Sequence, residues 1–262
     1  MTDLTDRPVR IGLQLQPEHA DYSALRDAVL RAEDLGVDIL FNWDHFFPLH
    51  GDPDGKHFES WTMLGAWAEQ TERVEIGALV TGNGYRNPDL LADMARTVDH
   101  ISGGRLVLGL GAGWFEKDYD QFGYEFGTAG SRIASLADAM PRIKARLAAG
   151  NPAPTREIPI LIGGGGVKKT LRIVAEHADI WHSFGDVDVL TIKSAILDEH
   201  GAAVGRDTAR LVERSVEVNG TPEAKGDALL AAGATLLTMS STGPEYDLSE
   251  VRAWVEWRDE RR

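Results

Sequence analysis

Four short stretches carry the residue types that proton transfer or close ligand binding requires. Asp44-His45 follows an apolar run and is flanked by Trp43, Phe46 and Phe47. An imidazole exchanges protons near neutral pH, and aromatic walls would exclude water around it. Asp44 would orient a ring nitrogen or hydroxyl of a ligand, although loop side chains with purely structural hydrogen bonds account equally well for the pair. Leu79-Val80-Thr81-Gly82-Asn83-Gly84 ends another apolar run in small residues, where an irregular backbone can press against a planar ligand or simply turn. In Gly109-Leu110-Gly111-Ala112-Gly113 the main chain loses its side chains at alternate positions, and Trp114 and Phe115 follow as an aromatic wall. Taken alone, that stretch is a strand with a tight corner, and it does not match the G-x-G-x-x-G dinucleotide fingerprint. Gly163 to Gly166 lie between an apolar strand and the helix expected to open at Val167. Successive glycine N–H groups at a helix N-terminus suit an anion, so phosphate binding is favoured here over a structural turn. Lys168, Lys169 and Arg172 would supply positive charge.

Other chemistries find less support. The chain has no cysteine, which excludes disulfides, thiolate metal sites and cysteine nucleophiles. His45, His50 and His57 with Asp52 and Asp54 fit no compact ligand set, so no metal is expected. No G-x-S-x-G elbow surrounds Ser131, Ser183 or Ser240. With 41 acidic and 27 basic side chains, the net charge of −14 argues against nucleic acid or an anionic membrane as partner. No apolar run approaches the ~20 residues of a membrane span. The opening MTDLTDRPVR is polar, with no signal-peptide core. A cytoplasmic protein is expected.

The elements that must position these residues alternate regularly. Strands are read at 9–15, 37–41, 74–80, 105–110, 158–162, 179–184, 211–218 and 234–239. The helices between and after them cover 22–35, 60–71, 90–101, 131–148, 168–177, 187–200, 222–232 and 248–258. Gly36 closes the first helix, Pro88 opens the third, and Pro141 is expected to kink or break the fourth. Eight strand–helix units in 262 residues predict one domain, 1–262, folded as a closed (β/α)8 TIM barrel, with a doubly wound open sheet as the main alternative. In a barrel the chemistry sits on the loops after the strands. Trp254 and Trp257, at helical spacing, read as core or as an exposed stripe favouring a homodimer.

Together the segments NWDHFFP, IGALVTGNGYRNPDLLADMARTVDHISGGRLVLGLGAGW, DYDQFG and IPILIGGGGVKKTLRIVAEHADIW resemble the luciferase-like monooxygenase superfamily. Within it they resemble the flavin- and deazaflavin-dependent (coenzyme F420) oxidoreductases of actinobacterial type. The likeness covers about half the chain and implies a (β/α)8 barrel with a tricyclic ring held at its mouth. It implies that Asp44 and His45 lie beside the ring, that a non-prolyl cis peptide between Leu79 and Val80 backs it with Thr81 following, and that Ala112 and Gly113 face the ring or ribityl chain. It also implies that Gly164, Gly165, Gly166 and Val167 hold the phosphate. Trp114 stands where deazaflavin dehydrogenases of the family often carry a proton-donating glutamate, and is assigned to a substrate wall. The segment from Gly127 to Glu157 is short for the family, which implies an open pocket.

The reading that results is an oxidoreductase moving a hydride between bound coenzyme F420 and a small organic substrate, with Asp44, His45 and Trp114 as its catalytic group. An FMN-dependent monooxygenase is the alternative within the family. A non-catalytic deazaflavin carrier and a non-redox sugar-phosphate barrel enzyme are the alternatives from other classes.

Overall fold

Parallel strands buried on both faces must be covered by helices outside and filled by side chains inside, and the computed structural model, which describes residues 7–262, meets both demands. Its strands are β1 (Arg10–Gln16), β2 (Ile39–Asn42), β3 (Glu75–Ala78), β4 (Thr81–Gly82), β5 (Leu106–Gly111), β6 (Ile160–Gly163), β7 (Ile180–Ser183), β8 (Glu213–Glu217) and β9 (Ala234–Thr242). All pair in parallel, and contacts of β1 with both β2 and β9 and of β3 with β5 close the ring. β3 and β4 are two halves of one stave, separated at Leu79-Val80, so the barrel has eight staves. The acidic opening read from the sequence falls mostly in residues 1–6, outside the described residues.

The helices are α1 (Tyr22–Leu35), α2 (Ser60–Gln70), α3 (Pro88–Ile101), α4 (Glu116–Phe122), α5 (Ala129–Ala148), α6 (Thr170–His177), α7 (Val187–Ala203), α8 (Thr208–Leu211), α9 (Gly226–Ala231) and α10 (Ser249–Asp259). Gly36 ends α1 at φ 92°, where its N–H bonds back to the last turn, and Pro88 occupies the first turn of α3. Two expectations are corrected. Pro141 does not break α5, which runs on for 20 residues with the proline ring on its solvent face. Trp254 and Trp257 are not an exposed stripe: both are buried, the Trp254 indole N–H donates to Gly220 O, and Trp257 packs over Gly226. They form core, so the homodimer loses the surface that favoured it.

The barrel interior holds Ile39, Phe41, Val107, Leu161, Ile180 and Leu236, with Leu79 and Val80 packed on top of this plug. At the opposite end Arg10 bridges Glu213 and Glu75, and Arg156 also reaches Glu75. One end is therefore closed by ion pairs and the middle by hydrocarbon. The remaining space lies at the C-terminal ends of the strands. No helix among the described residues is long and apolar enough to cross a membrane.

Candidate active site

A cavity of about 600 Å3 opens at that end of the barrel, within the range of small-molecule and cofactor pockets. Residues from all four stretches singled out in the sequence line it: Asp44 and His45, Leu79 and Val80, Ala112 to Trp114, and Gly163 and Gly164. The peptide between Leu79 and Val80 is cis, as the resemblance implied. Leu79 N–H donates to Asn42 O, and Gln14 on β1 donates its amide to Leu79 O at 2.7 Å, so this floor is tied to two neighbouring staves. The glycines around it make room for it. A Cβ on Gly111 would lie 2.5 Å from a Val80 methyl, and one on Gly163 would lie 3.0 Å from the other methyl. Gly113, at φ 81°, has the Tyr119 hydroxyl where a Cβ would stand.

His45 is oriented from behind. Its Nδ1 lies 2.7 Å from Oδ2 of Asp118, a fully buried carboxylate on α4 that also accepts the Tyr85 hydroxyl at 2.8 Å and the Phe46 N–H at 3.0 Å. A carboxylate can only accept, so Nδ1 carries the proton, and Nε2 is the nitrogen with no protein partner among the described residues. Burial, then the charge of Asp118, pushes the Tyr85 phenol far up, which keeps it a donor to that carboxylate. Trp114, largely exposed, meets the His45 ring edge-on at 5.7 Å, and Phe115 does so at 5.5 Å. The other two histidines of this loop are engaged elsewhere. His50 Nδ1 is 3.0 Å from Glu18, and His57 accepts the Trp43 indole N–H at 3.0 Å. Burial lowers the His57 pKa to about 4. No group of three or more His, Asp or Glu side chains among the described residues is arranged to hold a metal.

Asp44 reaches the cavity but is also bound from below. Arg86 grips both its oxygens, at 2.5 and 3.0 Å, and the Gly82 N–H donates to it at 3.1 Å. Burial pushes the carboxyl up, against the pull of Arg86 and Gly82. Burial also disfavours the Arg86 cation, but Asp44 and Glu59 outweigh it and leave the guanidinium firmly charged. Asp44 thus joins the end of β2 to β4 and to the loop before α3, which fixes one rim of the cavity.

The glycine-rich corner after β6 differs from its expected form. α6 begins at Thr170 and not at Val167, after a turn over residues 167–169. Gly164 N–H is not available, because it donates to His182 O, while Gly164 O accepts the Trp181 indole. The N–H groups of Gly165, Gly166 and Val167 make no hydrogen bond among the described residues, so three consecutive donors remain for an anion. Arg172 pairs with Glu176 and Lys168 is exposed, whereas Lys193 on α7 lays its Nζ directly over Gly165. Thr170 Oγ1 stands 2.8 Å from where a Gly166 Cβ would sit, and His200 Nε2 lies 2.8 Å from Val167 O.

Sequence reasoning missed five contributors: Asp118, Arg86, Lys193, His182 and Glu217. Asp118 lies within the quoted DYDQFG, but its partner His45 is 73 residues away. His182 is fully buried with Nδ1 2.9 Å from Ser215 Oγ, and burial brings its pKa down to about 4, so it is neutral.

A model of the luciferase-like monooxygenase family matches residues 7–256 of the chain. The F420-dependent glucose-6-phosphate dehydrogenase of Amycolatopsis mediterranei is 26% identical over 235 residues, 80% of this chain and 68% of that one. The chain spans about two thirds of the length of that relative, and other curated relatives are covered less fully. Among solved structures, an F420-dependent secondary alcohol dehydrogenase bound to an F420–acetone adduct superposes with a TM-score of 0.82. Its identity is 16%, and the match covers 95% of this chain and 98% of that one. The coenzyme F420-dependent tetrahydromethanopterin reductase of Methanopyrus kandleri gives a TM-score of 0.74, also at 16% identity, over 95% and 97%.

Proposed function

This chain belongs to the luciferase-like monooxygenase family, and from that premise we propose that it is an oxidoreductase that moves a hydride between bound coenzyme F420 and a small organic substrate. The observation that carries the reading is one cavity with two unlike halves. The half formed by β2 to β6 is lined by glycines, the Leu79–Val80 peptide and an oriented imidazole, and Gly163 and Gly164 at its edge lead into the loop whose next three N–H groups are unpaired among the described residues. A flat ring with a phosphate on its side chain fits that half, because main chain can approach a ring face where a Cβ would intrude.

When bound, the deazaflavin supplies a ring carbon that takes up or gives off a hydride. The residues of this chain bind, orient and manage the proton. Leu79 and Val80 form the floor under the ring, and Ala112 and Gly113 flank it, whereas Thr81, fully buried with its hydroxyl accepting the Trp61 indole N–H, lies outside the cavity lining. Asp44, held by Arg86, fixes the rim. Gly165, Gly166 and Val167 donate to the phosphate, Gly164 shapes their loop, and Lys193 adds the cation. His45 moves a proton on or off the substrate oxygen through Nε2, while Asp118 keeps Nδ1 protonated. Trp114 is a wall that confines the substrate and excludes water.

Titration of the purified protein with coenzyme F420, FMN and a sugar phosphate tests the reading. Saturable deazaflavin binding that exceeds FMN binding is expected, together with bleaching of the bound cofactor by one of a panel of simple alcohols. Binding of FMN alone would transfer the protein to the monooxygenase reading. Binding of the sugar phosphate alone would leave a non-redox barrel. Tight deazaflavin binding with no hydride exchange across the panel would make it a carrier.

A further inference from the structure

The other half of the cavity, formed by β7, β8, β9 and β1, is built from side chains. Along β8 the residues at 213, 215 and 217 share the inward face: Glu213 closes the bottom with Arg10, Ser215 holds His182 Nδ1, and Glu217 stands at the mouth. The other charged side chains lining the cavity are committed. Asp44 is paired with Arg86 and His50 with Glu18, while Arg132 donates to the carbonyls of Gly113 and Phe126 and stacks on the Phe126 ring. The Glu217 side chain has no hydrogen bond or ion pair among the described residues, while its backbone stays in the ladder opposite Thr238. At its foot a recess of about 40 Å3 opens between Gln14, His182, Thr238 and Ser240, room for one small polar group. Phe184, exposed and edge-on to His182 at 5.2 Å, gives that recess an apolar shoulder.

Two unpaired acceptors face this recess: the Gln14 amide donates one N–H to Leu79 O while its oxygen has no partner among the described residues, and Glu217 only accepts when ionised. Among the described residues no lysine or arginine lines this half of the cavity. We propose that Glu217 is the specificity-determining residue of the substrate half, selecting a small molecule with an apolar body and one hydrogen-bond-donating head, hydroxyl or ammonium, and rejecting anions. The proposal rests on the cavity assignment above, with the cofactor in the glycine-lined half. Partial burial also raises the pKa of Glu217, as expected for a carboxyl awaiting a partner. A phosphorylated sugar, the substrate named for the Amycolatopsis relative, is on this account a poor ligand.

The test uses three ligands on one skeleton: cyclohexylammonium, cyclohexanol and cyclohexanecarboxylate. Affinities are measured by calorimetry for the deazaflavin-loaded wild type, Glu217→Gln and Glu217→Lys, and in parallel for the cofactor-free proteins. The wild type should bind the ammonium at least about tenfold more tightly than the carboxylate, with the alcohol between them. E217Q should bring the two ions within about threefold, and E217K should invert their order. An unchanged preference in E217Q, a wild type that favours the carboxylate, or failure of all three to bind overturns the proposal. Coenzyme F420 affinity is followed separately and should not change in E217Q. Its absence in the wild type would defeat the cofactor reading, while the ranking in cofactor-free protein still judges Glu217.

Discussion

Replacing Asp118 by asparagine separates the orientation of His45 from the shape of the site. In the wild type Oδ2 of Asp118 accepts from His45 Nδ1 and from the Tyr85 hydroxyl, and Oδ1 accepts from the Phe46 N–H. The asparagine keeps its oxygen on Phe46, the one partner whose role is fixed, and turns its NH2 toward the other two. Two hydrogen bonds to a charged acceptor are lost, each worth ~1.5–3 kcal/mol. Both partners can reverse roles, Tyr85 by rotating its hydroxyl and His45 by moving its proton to Nε2, so about half of that sum is recovered. A net destabilisation of ~1.5–3 kcal/mol in urea unfolding follows. The functional consequence is larger, because the proton on Nε2 removes the free base. Turnover should fall by ~10²-fold or more, the contribution of a positioned general acid–base group, while coenzyme F420 affinity changes little. Side-chain nitrogen–proton correlation spectra of histidine-labelled protein read the tautomer without any substrate. A proton that stays on Nδ1 in D118N, or stability within ~0.5 kcal/mol of wild type, would refute the orientation argument.

Other perturbations test other parts of the site. Arg86→Ala leaves Asp44 buried with one N–H donor, so a loss of ~3–5 kcal/mol is expected in urea unfolding, and a loss below ~1 kcal/mol would mean Asp44 finds other compensation. Lys193→Ala should weaken coenzyme F420 binding by about tenfold and flatten its salt dependence, with no effect on a phosphate-free analogue; equal losses for both ligands would remove Lys193 from the phosphate site. His57 and His182 stay neutral down to about pH 4 in the fold, while the unfolded chain protonates them near 6.5. Their stabilising contribution is complete above about pH 6.5, and each removes ~1.4 kcal/mol per pH unit as the pH falls toward 4. His182→Gln should reduce that slope by about one histidine's share, and an unchanged wild-type-minus-variant difference between pH 6.5 and 4 would show that His182 titrates normally.

The architecture was legible because it depends on local patterns. The apolar run Leu106–Leu110, the helix stop at Gly36 and the helix start at Pro88 each write their geometry into a few neighbouring residues. Pro141 does not end α5, because one lost i→i−4 hydrogen bond on the solvent face of a 20-residue helix is offset by the turns packed on either side. The short α4, seven residues rich in charge, has too few apolar positions for a period to show. The backbone parts of the site were legible for the same local reason: glycine runs declare where main chain is exposed. Its side-chain partnerships were not. Asp118 with His45, Arg86 with Asp44, and Lys193 over Gly165 join residues tens of positions apart, and only the ring closure brings them together. Glu217 had no local signal either, since one charged residue at a strand end is ordinary until its neighbours prove to leave it unpaired. The tryptophans of α10 show the limit of periodicity, because an apolar stripe reads alike whether it faces a barrel or a partner.

In the proposed complex a tricyclic cofactor lies on the Leu79–Val80 floor with its phosphate on the N–H groups of Gly165, Gly166 and Val167. A crystal structure of the protein soaked with coenzyme F420 tests this directly. The ring is expected between His45 and Ala112, with phosphate oxygens within hydrogen-bonding distance of those three nitrogens and of Lys193. A ring seated against Glu217 and Ser240, or a mouth that stays empty at saturating cofactor, would contradict it.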